Sequence, residues 1–318
     1  MRTMLVLIAL AGSLLAADAS AYDPTASGGK VDTRLTSFIH GGREVPLKIY
    51  LPEKKHAAVI LLSHGLGGSR EVGTYLGTRW AARGFVVVAM QHAGSDESVW
   101  KGVPAARRMA AMKDAASGAN MLVRTRDVTA TLDQLERWNV AEGHFLKGRL
   151  DLEHVGMAGH SFGAVTTQAV AGQSFGAAGA KFADPRIDAA LALSPSVPRA
   201  GDPKRAFGGM KLPMMLMTGT KDDSVIGGAT AETRREVYQA LPEGSKYELV
   251  LKDAEHMAFS DRTARGGEQR DPNHHRVILA FSVAFWDAYL GASSTARGWL
   301  DGKAPANLLG KGDLWEHK

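Results

Sequence analysis

Short apolar runs recur along the chain, and between them polar and apolar residues alternate at helical spacing. The runs are Val45–Leu51, Ala57–Ser63, Phe85–Met90, His154–Gly159, Ile187–Ser194, Leu212–Gly219 and Tyr247–Leu251. AAVILLS has no polar residue until its end, which predicts a strand buried on both faces of a parallel sheet. The intervening stretches TYLGTRWAARG, RTRDVTATLDQLERW, GAVTTQAVAG, ATAETRREVYQALP and HHRVILAFSVAFWDAYL read as helices. In the second, Val128, Leu132 and Leu135 form one stripe, and Arg124, Asp127, Asp133 and Glu136 are expected to point away from it. Regular alternation of strand and helix predicts an α/β fold with a mostly parallel central sheet flanked by helices.

Three segments break the rhythm. Residues 22–37 are polar and Gly-rich and are expected to form a flexible lead-in. Residues 91–120 carry Gly94, Gly102, Pro104 and the Met-rich basic stretch RRMAAMKDAASGANM, read either as an insertion forming a lid or wall over a cleft or as a long loop with a packed amphipathic helix, the latter favoured by Met and Ala at helical spacing. Residues 293–318 form a C-terminal tail, packed on or trailing from a catalytic domain spanning 38–292. Ahead of all these, residues 1–21 hold a basic start, an apolar run from Met4 to Ala17, and small residues at Ala17, Ala19 and Ala21. That run is shorter than the roughly 20 residues that span a bilayer. It reads as a secretion signal cleaved after Ala19 or Ala21, delivering the protein to the periplasm or the exterior without a stable membrane anchor.

Composition narrows the choice of chemistry. The chain of 318 residues is 45% hydrophobic, enough for a full core. Its formal charge of +5 is spread among acids rather than gathered into a face, so no nucleic-acid partner is expected. It has no cysteine, which excludes disulfides, thiolate metal sites and a cysteine nucleophile. His274 and His275 are adjacent and do not face one ligand on a helix, so no metal is expected there. No motif calls for a cofactor.

The pattern Gly-x-Ser-x-Gly occurs twice in GHSFGAVTTQAVAGQSFG, at Ser161 and Ser174. A serine hydroxyl is a weak nucleophile until a sharp strand-to-helix turn presents it to a base. Ser161 follows a strand and precedes a helix. Ser174 follows that helix, with Gly172 where the helix would end, so Ser161 is the candidate nucleophile. His256, in the loop after the last apolar run, is the candidate base. The acid is Asp222 or Asp223 in GTKDDS after Leu212–Gly219, and the spacing from Gly219 favours Asp222. The loop SHGLGGSR lacks the Lys-Ser/Thr ending of a nucleotide loop. It would give one backbone oxyanion donor, Leu66, and the residue after the nucleophile, Phe162, the other.

With Ser161, Asp222 and His256 in that order the chain resembles a serine α/β-hydrolase. LLSHGLGGSRE, FVVVAMQHAGSD, RTRDVTATLDQL, VGMAGHSFGA, MTGTKDDS and LVLKDAEHMAFSD together resemble bacterial dienelactone-hydrolase-like proteins related to the platelet-activating factor acetylhydrolases, over most of residues 45–290. The resemblance implies an α/β-hydrolase fold, a Ser-His-Asp triad at Ser161, His256 and Asp222, and hydrolysis of carboxylic esters through an acyl-enzyme, with no cofactor. The expected substrate is a small or polymeric ester, with short to medium acyl chains foremost. Polyester depolymerase, serine peptidase and a non-catalytic binding protein on the same fold are the rival readings.

Overall fold

The computed structural model of the chain describes residues 22–261 and 271–318. The secretion signal expected at 1–21 lies outside the described residues. The strands are β1 (Val31–His40), β2 (Arg43–Pro52), β3 (Ala57–Ser63), β4 (Val86–Met90), β5 (Leu150–His160), β6 (Ala189–Leu193), β7 (Met214–Lys221), β8 (Lys246–Glu255) and β9 (Leu314–His317). The helices are α1 (Thr74–Ala82), α2 (Ala105–Ala115), α3 (Gly118–Val140), α4 (Phe162–Val170), α5 (Pro203–Phe207), α6 (Ala231–Ala240), α7 (Pro272–Tyr289) and α8 (Ser294–Asp301).

All the strands join one sheet in the order β1-β2-β4-β3-β5-β6-β7-β8-β9. From β4 through β8 neighbouring strands are parallel. The outer strands β1, β2 and β9 run antiparallel to their neighbours. β3 shows why the apolar runs are continuous. Ala58, Ile60 and Leu62 face a layer with Trp80 of α1 and Phe281, Phe285 and Trp286 of α7. Ala57, Val59 and Leu61 face Val128, Leu132 and Leu135 of α3. A strand covered on both faces has no position at which a polar side chain meets water. This is the α/β-hydrolase architecture expected from the sequence. Among the described residues no helix is long and apolar enough to cross a membrane.

One expectation is corrected. The flexible lead-in at 22–37 is instead anchored and partly strand. Gly29 N–H donates to Ala82 O at 2.8 Å, Tyr22 Oη–H donates to Asp287 at 2.5 Å, and β1 begins at Val31. β1 is an outer strand with much of its length exposed, so its polar composition is compatible with a ladder to β2. The tail at 293–318 supplies α8 and β9, the latter paired with β8.

The polar side of α3 divides into an exposed and a buried part. Asp133 and Glu136 do reach outward, to Arg186. Arg124 and Asp127 are fully buried, because the loops after β3 and β4 cover that face of the helix and supply polar partners. Within 91–120, a 3-10 turn at Glu97–Val99 and α2 fold beside the loop after β3. Trp100 Nε1–H donates to Gly67 O at 2.7 Å, which ties this segment to that loop.

Candidate active site

The sheet's C-terminal edge brings the candidate residues together, where parallel strands of α/β sheets commonly present functional loops. Ser161 sits between β5 and α4 with φ 57° and ψ −116°. A β-carbon-bearing residue adopts this backbone only under local compulsion. The flanking glycines supply the room: a β-carbon on Gly159 would lie 2.3 Å from Gly163 O, and one on Gly163 would lie 2.0 Å from Ser63 O. The chain can therefore turn sharply only with glycine at both positions. Ser161 N–H is held by Leu193 O at 2.9 Å, fixing the turn to β6.

His256 opens the 3-10 turn that follows β8. Its Nε2 lies 2.9 Å from Ser161 Oγ and its Nδ1 lies 2.7 Å from Asp222 Oδ1. A carboxylate only accepts, so Nδ1 carries the proton and Nε2 is left with a lone pair for the serine hydroxyl. Asp222, directly after β7, is fully buried. Thr218 Oγ1 donates to its other oxygen at 3.0 Å. Asp223 is exposed and accepts instead from Ala231 N–H at 2.9 Å, at the start of α6. Of the two aspartates, the structure places only Asp222 against His256.

Sequence reasoning missed Arg234 of α6, which is 1% exposed. Its Nε lies 3.0 Å from Asp222 Oδ1 and donates to Asp222 O at 2.7 Å, and its Nη1 donates to Ser194 O and Pro195 O at 2.9 and 2.8 Å. Burial opposes ionisation of Asp222, yet the hydrogen bond with His256 and the Arg234 guanidinium hold its carboxyl below the ordinary aspartate value. An arginine among Glu and Thr on a helix carries no local mark of this role.

The loop after β3 lies against the turn, since a β-carbon on Gly65 would meet Ser161 Cβ at 3.4 Å. Among the described residues the amides of Leu66 and Phe162 meet no acceptor. Phe162 is the first residue of α4, where amides lack helical partners. Ser174 sits after the end of α4, its amide bonded to Ala206 O at 2.8 Å, and the hydroxyl that meets His256 Nε2 is that of Ser161. His274 Nε2 lies 2.9 Å from Lys252 O, and His275 stacks on Tyr75. Among the described residues no group of three or more His, Asp or Glu is placed to hold a metal ion.

Two other histidines are held neutral beneath the site. Burial, reinforced by His256 nearby, pulls His160 down to about 3. Burial, reinforced by the Arg124 charge, pulls His92 down to about 4. Both values lie below the unfolded value of about 6.5, so between those limits the unfolded chain binds protons that the folded chain refuses. Their contribution is complete above about pH 6.5 and is lost as pH falls toward 4 and 3. The depressed carboxylates Asp222 and Asp127 act later, losing their contribution below about pH 4. Urea unfolding at pH 7.5 and pH 5 is therefore expected to show a loss on the order of a few kcal/mol at the lower pH. Equal stability at the two values would contradict the buried-neutral assignment.

Residues 33–137 match the family model described as platelet-activating factor acetylhydrolase, isoform II. A protein from Cavia porcellus named platelet-activating factor acetylhydrolase is 28% identical over 160 residues, covering 42% of this chain. The match spans 36% of the relative's own length. The family-model match takes in the loop after β3 and the polar residues of α3, and ends before Ser161.

Proposed function

From the premise that this chain is an α/β-hydrolase similar to the platelet-activating factor acetylhydrolases, we propose that it is a secreted serine esterase acting through an acyl-enzyme. The observation that carries this reading is the line from Ser161 Oγ through His256 to Asp222, at 2.9 and 2.7 Å. His256 Nε2 takes the Ser161 proton as the oxygen attacks the ester carbonyl. The amides of Leu66 and Phe162 receive the oxyanion of the tetrahedral intermediate. His256 then returns the proton to the departing alcohol, and the acyl group stays on Ser161. In the second half, water gives its proton to His256 and releases the acid. Asp222 keeps the proton on Nδ1 and stabilises the imidazolium, and Arg234 keeps Asp222 ionised and in place.

Short- to medium-chain acyl esters are the proposed substrates, with acetyl esters first because the relative is named an acetylhydrolase. Hydrolysis of p-nitrophenyl acetate and butyrate by the mature protein tests the reading. Asp222→Asn is expected to lower kcat by roughly 10³- to 10⁴-fold, through loss of the correct histidine tautomer. Asp223→Asn is expected to stay within about threefold, since its carboxylate only accepts from a helix-start amide. The reverse ranking, or no turnover of either ester by the wild type, would sink the proposal.

A further inference from the structure

Beneath the oxyanion loop lies a second Ser-His-Asp line that no substrate reaches. Ser63 Oγ lies 2.9 Å from His92 Nε2, and His92 Nδ1 lies 3.0 Å from Asp127 Oδ2. All three residues are fully buried. Arg43 closes the far side of Asp127 at 2.7 Å. Arg124 donates to Ser63 Oγ at 3.0 Å and to His64 O. From the same guanidinium, Nε donates to Thr166 Oγ1 at 2.9 Å, and the group lies over the Phe162 ring. Arg124 thus spans the two segments expected to carry the oxyanion donors.

The protons in this network have one consistent arrangement. His92 N–H donates to His64 Nε2 at 3.1 Å, so that nitrogen must offer a lone pair. His64 Nδ1 lies 2.6 Å from Gly65 O, and a carbonyl only accepts, so Nδ1 carries the proton. Gly68 N–H reaches the same carbonyl at 3.0 Å. In a trans peptide the carbonyl and the following amide point in opposite directions. Holding Gly65 O toward His64 and Gly68 therefore turns Leu66 N–H the other way.

We propose that His64 is a positioning residue for ester hydrolysis: its Nδ1–H, fixed by the buried His92–Asp127–Ser63–Arg124 network, aims the Leu66 amide at the oxyanion. The inference rests on the proposed esterase reading and deepens it, since it assigns a task to a network that the triad chemistry leaves unused. Ser63 is not a second nucleophile, because it is fully buried and its hydroxyl is committed to His92.

Asparagine and glutamine separate the two ring nitrogens of His64. Asn places an amide donor near the Nδ1 position, whereas Gln places an acceptor near Nε2 and leaves Gly65 O without its partner. His64→Gln is expected to lower kcat on p-nitrophenyl acetate by about 10- to 100-fold with KM within about twofold, since loss of one oxyanion donor costs about 10²- to 10³-fold. Its affinity for an acyl trifluoromethyl ketone, whose adduct with Ser161 carries the oxyanion, falls by a similar factor. His64→Asn recovers most of both losses, which a packing role would not predict. Equal losses in the two variants, or an unchanged kcat in His64→Gln, would overturn the inference. Should either variant fail to fold, nitrogen-15 NMR of the wild-type imidazoles decides: a proton on His64 Nδ1 supports the assignment and a proton on Nε2 refutes it. Wild-type turnover with no His64 effect removes this inference alone, whereas wild-type protein that neither hydrolyses the ester nor binds the ketone removes the esterase reading with it.

Discussion

Ser161→Ala is expected to lower kcat for p-nitrophenyl acetate on the order of 10⁴- to 10⁶-fold and to leave the fold and its melting temperature unchanged. The magnitude follows from what the hydroxyl supplies: without it His256 has no proton to take, and only the oxyanion site and binding remain to assist water. The stability forecast follows from the backbone. Alanine carries the same β-carbon as serine, so the strained turn at φ 57° is neither relieved nor worsened. Ser174→Ala is expected to retain activity within about twofold, because Ser174 lies beyond the end of α4 and His256 Nε2 meets Ser161 instead. Loss of activity in Ser174→Ala with retention in Ser161→Ala would reverse the choice of nucleophile.

Gly163→Ala is expected to have the largest effect on folding, and its cause lies in the same turn. The added methyl would lie 2.0 Å from Ser63 O, 2.8 Å from Ser63 C and 3.0 Å from His64 O, all backbone atoms at the end of β3. No rotamer change relieves such a contact, so α4 must move away from the sheet. Overpacking of a core typically costs 1–3 kcal/mol, and a clash with a central strand should reach roughly 3 kcal/mol or more. The variant should either fail to accumulate as soluble protein or unfold at markedly lower urea. Gly209→Ala is the control, since a β-carbon there meets nothing within 4 Å. Equal urea midpoints for Gly163→Ala and wild type would show that the turn is looser than described.

What the sequence revealed depended on how local each feature is. β3, with every residue buried, is legible because covering both faces leaves a continuous apolar run. The turn at Ser161 is legible because its glycines stand two residues on either side. β1 is not, because an outer strand with water on much of its surface selects no alternation strong enough to separate VDTRLTSFIH from a loop. β9 is only four residues long and is defined by its partner β8 rather than by its own pattern.

The partners of the charged residues are hidden for the same reason. Arg124 and Asp127 stand on the polar side of α3's stripe, and a charge at such a position usually meets solvent. They are buried because Arg43, His92, Ser63, Ser95 and Thr166 come from other elements to meet them. Nothing within a helical window states that. Asp222 and Asp223 are neighbours, and spacing could rank them but not separate them. The separation comes from the turn after β7, which directs one carboxylate inward to His256 and Arg234 and the other outward to the start of α6.

Every step of the proposed hydrolysis depends on Ser161 as a nucleophile activated by His256 and Asp222. The most direct test of that role is to treat the active protein with a fluorophosphonate and map the modified peptide by mass spectrometry. One adduct is expected, on Ser161, formed in step with the loss of esterase activity and much slower in Asp222→Asn. An adduct on Ser174 or another residue that tracks the loss of activity, or complete inactivation with Ser161 unmodified, would contradict that role.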